Sequence, residues 1–262
     1  MENEMTKKIR VGLFGFGKTG RIVVGEFLKN PAMNVCWVVR RSHEDRGRSL
    51  ANYFGLDICK ARLHALDEVT PEFFERNPVD VIIDFSGQSG IHAYACAARQ
   101  GIRLVSAISS YGEQELDMLD EYGKEAAVLY SPNITIGVNF LMVASKVMQR
   151  IAPHADIEIV EEHFKGKKDV SGTARRIAGA LSLDEDTHIN SIRVGGVIGR
   201  HEVIFGLPNQ TIRVIHESIN RAAFGQGALI AAQWLANKEP GVYSMEQIVS
   251  ESMAGIAIDL AG

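Results

Sequence analysis

One stretch gathers most of the side chains able to do chemistry: Glu161-Glu162-His163-Phe164-Lys165-Gly166-Lys167-Lys168-Asp169-Val170-Ser171-Gly172-Thr173-Ala174. It follows an alternating run, Ala155–Glu161, that reads as a strand, and it opens a helical pattern over Thr173–Leu183. Two hydroxyl residues about a glycine at a helix start make a receptor for a carboxylate or phosphate. The first N–H groups of a helix face outward, and the macrodipole favours an anion there. Ser171 reads equally as a plain N-cap, and both roles can hold. His163 ends the strand, with Lys167 four positions on. Neighbouring lysines disfavour an imidazolium unless Glu161 or Glu162 compensates, yet such a ring can still donate one proton at neutral pH. Lys165 and Lys168 read as solvated charges as readily as site cations.

Upstream elements supply what this stretch lacks. Ile9–Phe14 is an apolar run of strand length, followed at once by Gly15-Phe16-Gly17-Lys18-Thr19-Gly20, a helical pattern over Arg21–Lys29 and a second apolar strand, Val35–Val39. Strand, Gly-x-Gly-x-x-Gly, helix, strand is the context a dinucleotide fingerprint requires. The first glycine permits the tight turn, the second admits the pyrophosphate and the third lets helix pack on strand. Where an NAD site usually carries Asp or Glu, this chain has Arg40-Arg41-Ser42. Guanidinium pairs with a 2′-phosphate that a carboxylate would repel, so the sequence leans to NADPH. Strands and helices alternate through residue 130, with strands at Val79–Phe85, Ile102–Ala107 and Ala126–Tyr130 and a helix at Ile91–Gln100. This predicts a doubly wound parallel sheet, with cofactor along the carboxyl ends of its strands near Ser86, Ile108, Ser109 and Ser131. Asp45–Asp67 is poorly patterned and reads as a helix with loops. After Pro132 the pattern changes to a long helix, Asn139–Ile151, and then three candidate strands at Asn190–Val194, Glu202–Phe205 and Thr211–His216. Their short turns predict a meander.

Composition excludes other classes. A formal charge of −4 offers no reason for nucleic acid or an anionic membrane as partner. No apolar run is long enough to span a bilayer, and no signal core follows Met1–Lys8, which favours the cytoplasm. Cys36, Cys59 and Cys96 are scattered, and no histidine has metal-ligand spacing to another His or Cys, so no metal is assigned. A hydride-donating cofactor, an anion cradle and a proton donor together suggest reduction of a C=N or C=C bond in a carboxylic acid.

On these residues the chain resembles the 4-hydroxy-tetrahydrodipicolinate (dihydrodipicolinate) reductase family, whose signature is Glu-x-His-His-x-x-Lys-x-Asp-x-Pro-Ser-Gly-Thr-Ala. Similar too are Asn133-Ile134-Thr135-Ile136-Gly137-Val138-Asn139, Arg193-Val194-Gly195-Gly196-Val197-Ile198-Gly199, and Phe224-Gly225-Gln226-Gly227-Ala228 with Trp234-Leu235. The resemblance implies an α/β chain: a Rossmann-type doubly wound parallel sheet plus a second α+β domain with an open mixed sheet. It implies a dinucleotide domain over 1–131, completed by 222–262, and a substrate-binding and oligomerisation domain over 132–221 that builds a homotetramer. The implied activity is NADPH-dependent (or NADH-dependent) reduction of 4-hydroxy-tetrahydrodipicolinate to tetrahydrodipicolinate in lysine and diaminopimelate biosynthesis. His163 is then the general acid, Lys167 a second proton donor, and Gly172 and Thr173, with Ser171, the carboxylate receptor. Phe16, Lys18, Thr19, Ala107, Ile108, Ser109 and Asn133 join the nucleotide site.

The chain departs from the family at four places. Phe164 replaces a second histidine that contacts substrate, and the proline before Ser171 is absent. Ala107-Ile108-Ser109-Ser110 replaces Gly-Thr-Thr-Gly, and the glycine loop is one residue shorter, with Lys18 where arginine is common. These departures raise a same-mechanism reductase for another cyclic imino acid as the alternative. A non-catalytic NADP(H)-sensing protein is a further one, against which His163 and Lys167 together argue.

Overall fold

Short apolar runs bounded by polar turns build two separate sheets. In chain order the strands are β1 (Ile9–Phe14), β2 (Met33–Arg40), β3 (Arg62–Ala65), β4 (Val81–Asp84), β5 (Arg103–Ser106), β6 (Ala127–Tyr130), β7 (Asp156–His163), β8 (Ile189–Arg193), β9 (Arg200–Leu207), β10 (Gln210–Glu217) and β11 (Gly241–Tyr243). The computed structural model describes residues 7–56 and 59–261; Met1–Thr6, Asp57, Ile58 and Gly262 lie outside it. Two units result. One runs to Ile134 and resumes over Phe224–Met245; the other is Thr135–Ala223 with the residues from Glu246 onward. The stretch 222–262 therefore divides between them.

The first unit carries a parallel seven-stranded sheet in the order β11-β6-β5-β4-β1-β2-β3. Its central strands are buried on both faces, as helices on either side require. Trp37 is 1% exposed and packs edge-on against Phe14, Phe73 and Phe74; a Cβ at Gly12 would overlap its ring. Two expectations need correction, and one strand was not anticipated. Asp45–Asp67 holds the short helix Leu50–Phe54 and the edge strand β3, whose four residues are too few to show a period. The edge strand β11, of three residues, escapes for the same reason. Ile91–Gln100 is a 3₁₀ segment, Gln88–Tyr94, followed by the helix Ala95–Arg99.

The second unit carries a mixed sheet in the order β10-β9-β7-β8. The predicted meander is wrong: only β9 and β10 form a hairpin, and β8 pairs in parallel with β7 on its far side. The reason lies in burial. Ile157, Ile159, Glu161 and His163 of β7 are all buried and demand a neighbour on both sides, whereas β8 is largely exposed and suits an edge. The helices Ile136–Ile151 and Gly172–Ala180 lay Leu141, Met142, Ala174, Ile177 and Ala178 on Ile157, Ile159, Val203 and Phe205. The same face continues along β7 and β9, but its last positions are Glu161, His163 and His201. Among the described residues no helix is long and apolar enough to cross a membrane, and no group of His, Cys, Asp or Glu could hold a metal ion.

Candidate active site

In the first unit, a cavity of about 520 Å³ opens at the carboxyl ends of β1, β2 and β4, between the glycine loop and Arg40-Arg41-Ser42. Gly15 has φ +102°, and a Cβ there would lie 2.6 Å from the Phe85 carbonyl carbon, so only glycine fits. A Cβ at Gly20 would overlap the Gly15 carbonyl. Nothing lies within 4 Å of a Cβ at Gly17, which stands exposed at the start of the helix Lys18–Lys29. That helix has no acidic residue in its first turn. Bare backbone at a helix N-terminus with no competing carboxylate fits a dinucleotide's phosphates. Phe16 is buried against Tyr53 and Phe54, so it offers the groove only backbone. Thr19 and Ser86 also line a second cavity of about 320 Å³ with Ala107, Ile108, Ser109 and Phe224.

The two arginines part company. Arg40 is committed to Glu44 (2.8 Å) and Asp45 (3.4 Å), while Arg41 is exposed and makes no ion pair among the described residues. Ser131 is fully buried with its hydroxyl donating to the Asn133 carbonyl at 2.9 Å, so this pair shapes the turn into Pro132 and lines neither cavity. Sequence reasoning missed Asp84. Its buried carboxylate accepts from Ser86 N (2.8 Å), Ser86 Oγ (2.6 Å) and Tyr94 OH (2.7 Å), which anchors the loop after β4. Burial pushes that carboxyl above the usual range despite these donors.

In the second unit, strand register gathers a separate cluster of polar side chains. Glu161 faces Ser191 on one side and His201 on the other, and Arg193 lies opposite His163. Glu161 is fully buried and hydrogen-bonds His163 Nδ1; Arg193 Nη2 (2.6 Å) and Ser191 Oγ (2.6 Å) donate to it as well. Burial alone would raise this carboxyl, but the donors prevail and hold it at about 2. Glu162 turns away to Arg200, so Glu161 is the compensating carboxylate. Ser171 Oγ accepts from Thr173 N (3.2 Å) and meets His201 Nε2 (3.0 Å); it is the helix N-cap and is occupied within the protein. Burial, followed by the charges of His163 and His216, pushes His201 down to about 3, which leaves it neutral. Gly172 is exposed with nothing within 4 Å of a Cβ, and Thr173 is half-buried. Lys167 is half-buried and its ammonium makes no ion pair among the described residues.

Comparison with known proteins gives two consecutive matches along the chain. Residues 9–134 match the family model for the dihydrodipicolinate reductase N-terminus, and residues 137–249 that for its C-terminus. The chain belongs to the dihydrodipicolinate reductase family. It is 34% identical over 257 residues to the 4-hydroxy-tetrahydrodipicolinate reductase of Caldanaerobacter subterraneus subsp. tengcongensis, covering 90% of this chain and 95% of that protein. It is 30% identical over 255 residues to the Rickettsia bellii enzyme of the same name, covering 90% and 93%. Among solved structures it is similar in fold to the dipicolinate-bound dihydrodipicolinate reductase of Paenisporosarcina sp. TG-14, with a TM-score of 0.75 at 21% identity, covering 92% and 99%. The chain is an NAD(P)H-dependent oxidoreductase of the dihydrodipicolinate reductase type. In this reductase Phe164 is 47% exposed and stands outside the Glu161 network. Arg193, Ser191 and His201 are the members that sequence reasoning passed over. They lie 20 or more positions from Ser171 or His163, and only strand pairing brings them in.

Proposed function

We propose that this reductase converts 4-hydroxy-tetrahydrodipicolinate to tetrahydrodipicolinate for lysine and diaminopimelate biosynthesis, with NADPH as reductant. The observation that carries this reading is the pairing of His163 with buried Glu161 in the second unit, close in sequence to the exposed Gly172 at a helix start. A bound reduced nicotinamide supplies hydride; the glycine loop, Lys18, Thr19 and Ser86 would hold that cofactor. His163 supplies the proton needed by the ring atom that gains charge, and Lys167 adds positive charge beside it. The N–H groups of Gly172 and Thr173 receive a substrate carboxylate, while the Ser171 hydroxyl caps the helix and meets His201. Arg41 supports the NADPH preference, because its exposed guanidinium borders the groove without a competing carboxylate.

A homotetramer built on the open face of the second sheet, in the cytoplasm, belongs to the same reading. That face alternates the ion pairs Arg200–Glu162 and Arg213–Glu202 with the exposed Ile192 and Ile215.

The test is turnover. Purified protein given NADPH and freshly made substrate should lose the nicotinamide absorbance. His163→Ala should slow this roughly 10²–10⁴-fold while still binding nucleotide. No NADPH oxidation by the unaltered protein ends the reading.

A further inference from the structure

We propose that Glu161 is a positioning residue that sets which nitrogen of His163 gives up the proton; this rests on the acid role proposed above for His163. An ionised carboxylate only accepts hydrogen bonds. Oε2 of Glu161 meets His163 Nδ1, so Nδ1 carries a hydrogen and Nε2 is the nitrogen that gains and loses the working proton. The other side of the carboxylate is equally determined. Oε1 accepts from Arg193 Nη2 (2.6 Å), Ser191 Oγ (2.6 Å) and Ser171 N (3.3 Å), and Arg193 Nη1 reaches Oε2 at 3.0 Å. Glu161 therefore cannot rotate without breaking donors on both oxygens.

Two further contacts match this assignment. A Cβ at Gly199 would stand 3.1 Å from His163 Nε2, so glycine leaves that nitrogen clear where any other residue would crowd it. Arg193 also donates to the carbonyls of Lys167 (3.0 Å) and Asp169 (3.0 Å). The same guanidinium thus holds the carboxylate that orients the acid and the loop that carries the second cation. His201 meets the His163 ring edge-on at 5.3 Å and is neutral, so the charged group bonded to His163 is Glu161, itself held by Arg193.

Glu161→Gln tests the effect, at the cost of the Arg193 Nη1 bond to the same position. A carboxamide keeps the shape but has one acceptor oxygen. Three donors converge on the Oε1 position and hold the amide oxygen there, which turns the NH₂ toward His163 Nδ1. His163 must then present a lone pair at Nδ1 and carry its hydrogen on Nε2.

The experiment combines ¹⁵N-histidine NMR of the full-length protein with steady-state kinetics on Glu161→Gln, His163→Ala and the double variant. The unaltered protein should show His163 protonated at Nδ1 when neutral, and the Gln variant should show the opposite tautomer. The Gln change should lower kcat about 100-fold with KM for nucleotide and substrate nearly unchanged, and should add little in the His163→Ala background. A neutral His163 protonated at Nε2 in the unaltered protein overturns the proposal, even if the Gln variant does not fold. An equal further loss in the His163→Ala background overturns it too, since a residue that only holds the fold would act there as well. Normal turnover by Glu161→Gln beside slow turnover by His163→Ala removes this role and keeps the acid. Normal turnover by His163→Ala removes the acid reading itself.

Discussion

Mild acid should loosen the second unit through one histidine. His201 is 5% exposed, sits between the charges of His163 and His216, and is pushed down to about 3 chiefly by burial. An unfolded histidine titrates near about 6.5. Because the folded value is the lower one, the unfolded chain binds the proton first. Stability is therefore complete above about pH 6.5 and falls as pH drops from there toward 3, by about 1.4 kcal/mol per unit for one proton. At about pH 5 the loss is about 2 kcal/mol. Glu161 adds nothing between about pH 6.5 and about pH 5. Its folded value of about 2 lies below the ordinary carboxyl value, so its contribution is complete above about pH 4.3 and is lost progressively as pH falls from there to about 2. His216, lowered by burial, works in the same direction as His201. The comparison is therefore with His201→Gln, which removes one titrating group and leaves the other.

Intrinsic fluorescence would report the wrong unit, because Trp37 and Trp234 both belong to the first. Hydrogen exchange of peptides over β9, corrected for intrinsic rate, reads the second. Between about pH 7 and about pH 5 the unaltered protein should lose about 2 kcal/mol more protection there than the Gln variant. Equal losses in both would show that His201 is not held neutral, and the account of this buried face would fall.

The glycine loop offers a contrast between fold and ligand. Gly20→Ala meets the Gly15 carbonyl and should cost about 1–3 kcal/mol by thermal denaturation, whereas Gly17→Ala, in open space, should leave stability alone and weaken nucleotide binding roughly tenfold in a titration. Unaltered nucleotide affinity in Gly17→Ala would place the phosphates elsewhere. Arg41→Ala should raise KM for NADPH roughly 10–100-fold and leave KM for NADH alone, the loss expected for one charged hydrogen bond; equal losses on both would end the 2′-phosphate assignment. Phe164→His puts back the second histidine that the family signature leads one to expect at this position. It should raise kcat/KM on 4-hydroxy-tetrahydrodipicolinate roughly tenfold, and a fall would mean the phenyl ring itself contacts substrate.

What could be read from the chain was what is local. Strand, glycine turn and helix from Ile9 to Lys29 are consecutive, so their residue types alone define the loop. Ser171 as N-cap is equally local, two residues from the N–H it accepts. Arg40 shows where even local reading stops. It and Arg41 hold equivalent places in sequence, but only Arg40 is drawn back by Glu44 and Asp45. The meander failed for a different reason. Short turns argue for pairing between sequence neighbours, but β8 is bound to β7, whose demand for two partners arises more than 20 residues earlier.

The cluster around Glu161 depends on the same nonlocal pairing. His163, Lys167 and Ser171 are close in sequence and could be found together, yet none of them explains why a carboxylate is buried at Glu161. Burying a charge is costly unless it is fully paired. The pairing comes from Ser191 and Arg193 on β8 at 2.6 Å each, and from Ser171 at the start of a helix. A one-residue slip of β8 against β7 would turn Ser191 and Arg193 to the opposite face and leave Glu161 unpaired in the core. The charge that bonds His163 therefore also selects the strand register. The sheet and the geometry of this cluster are consequently specified together, by residues that no spacing rule along the chain connects.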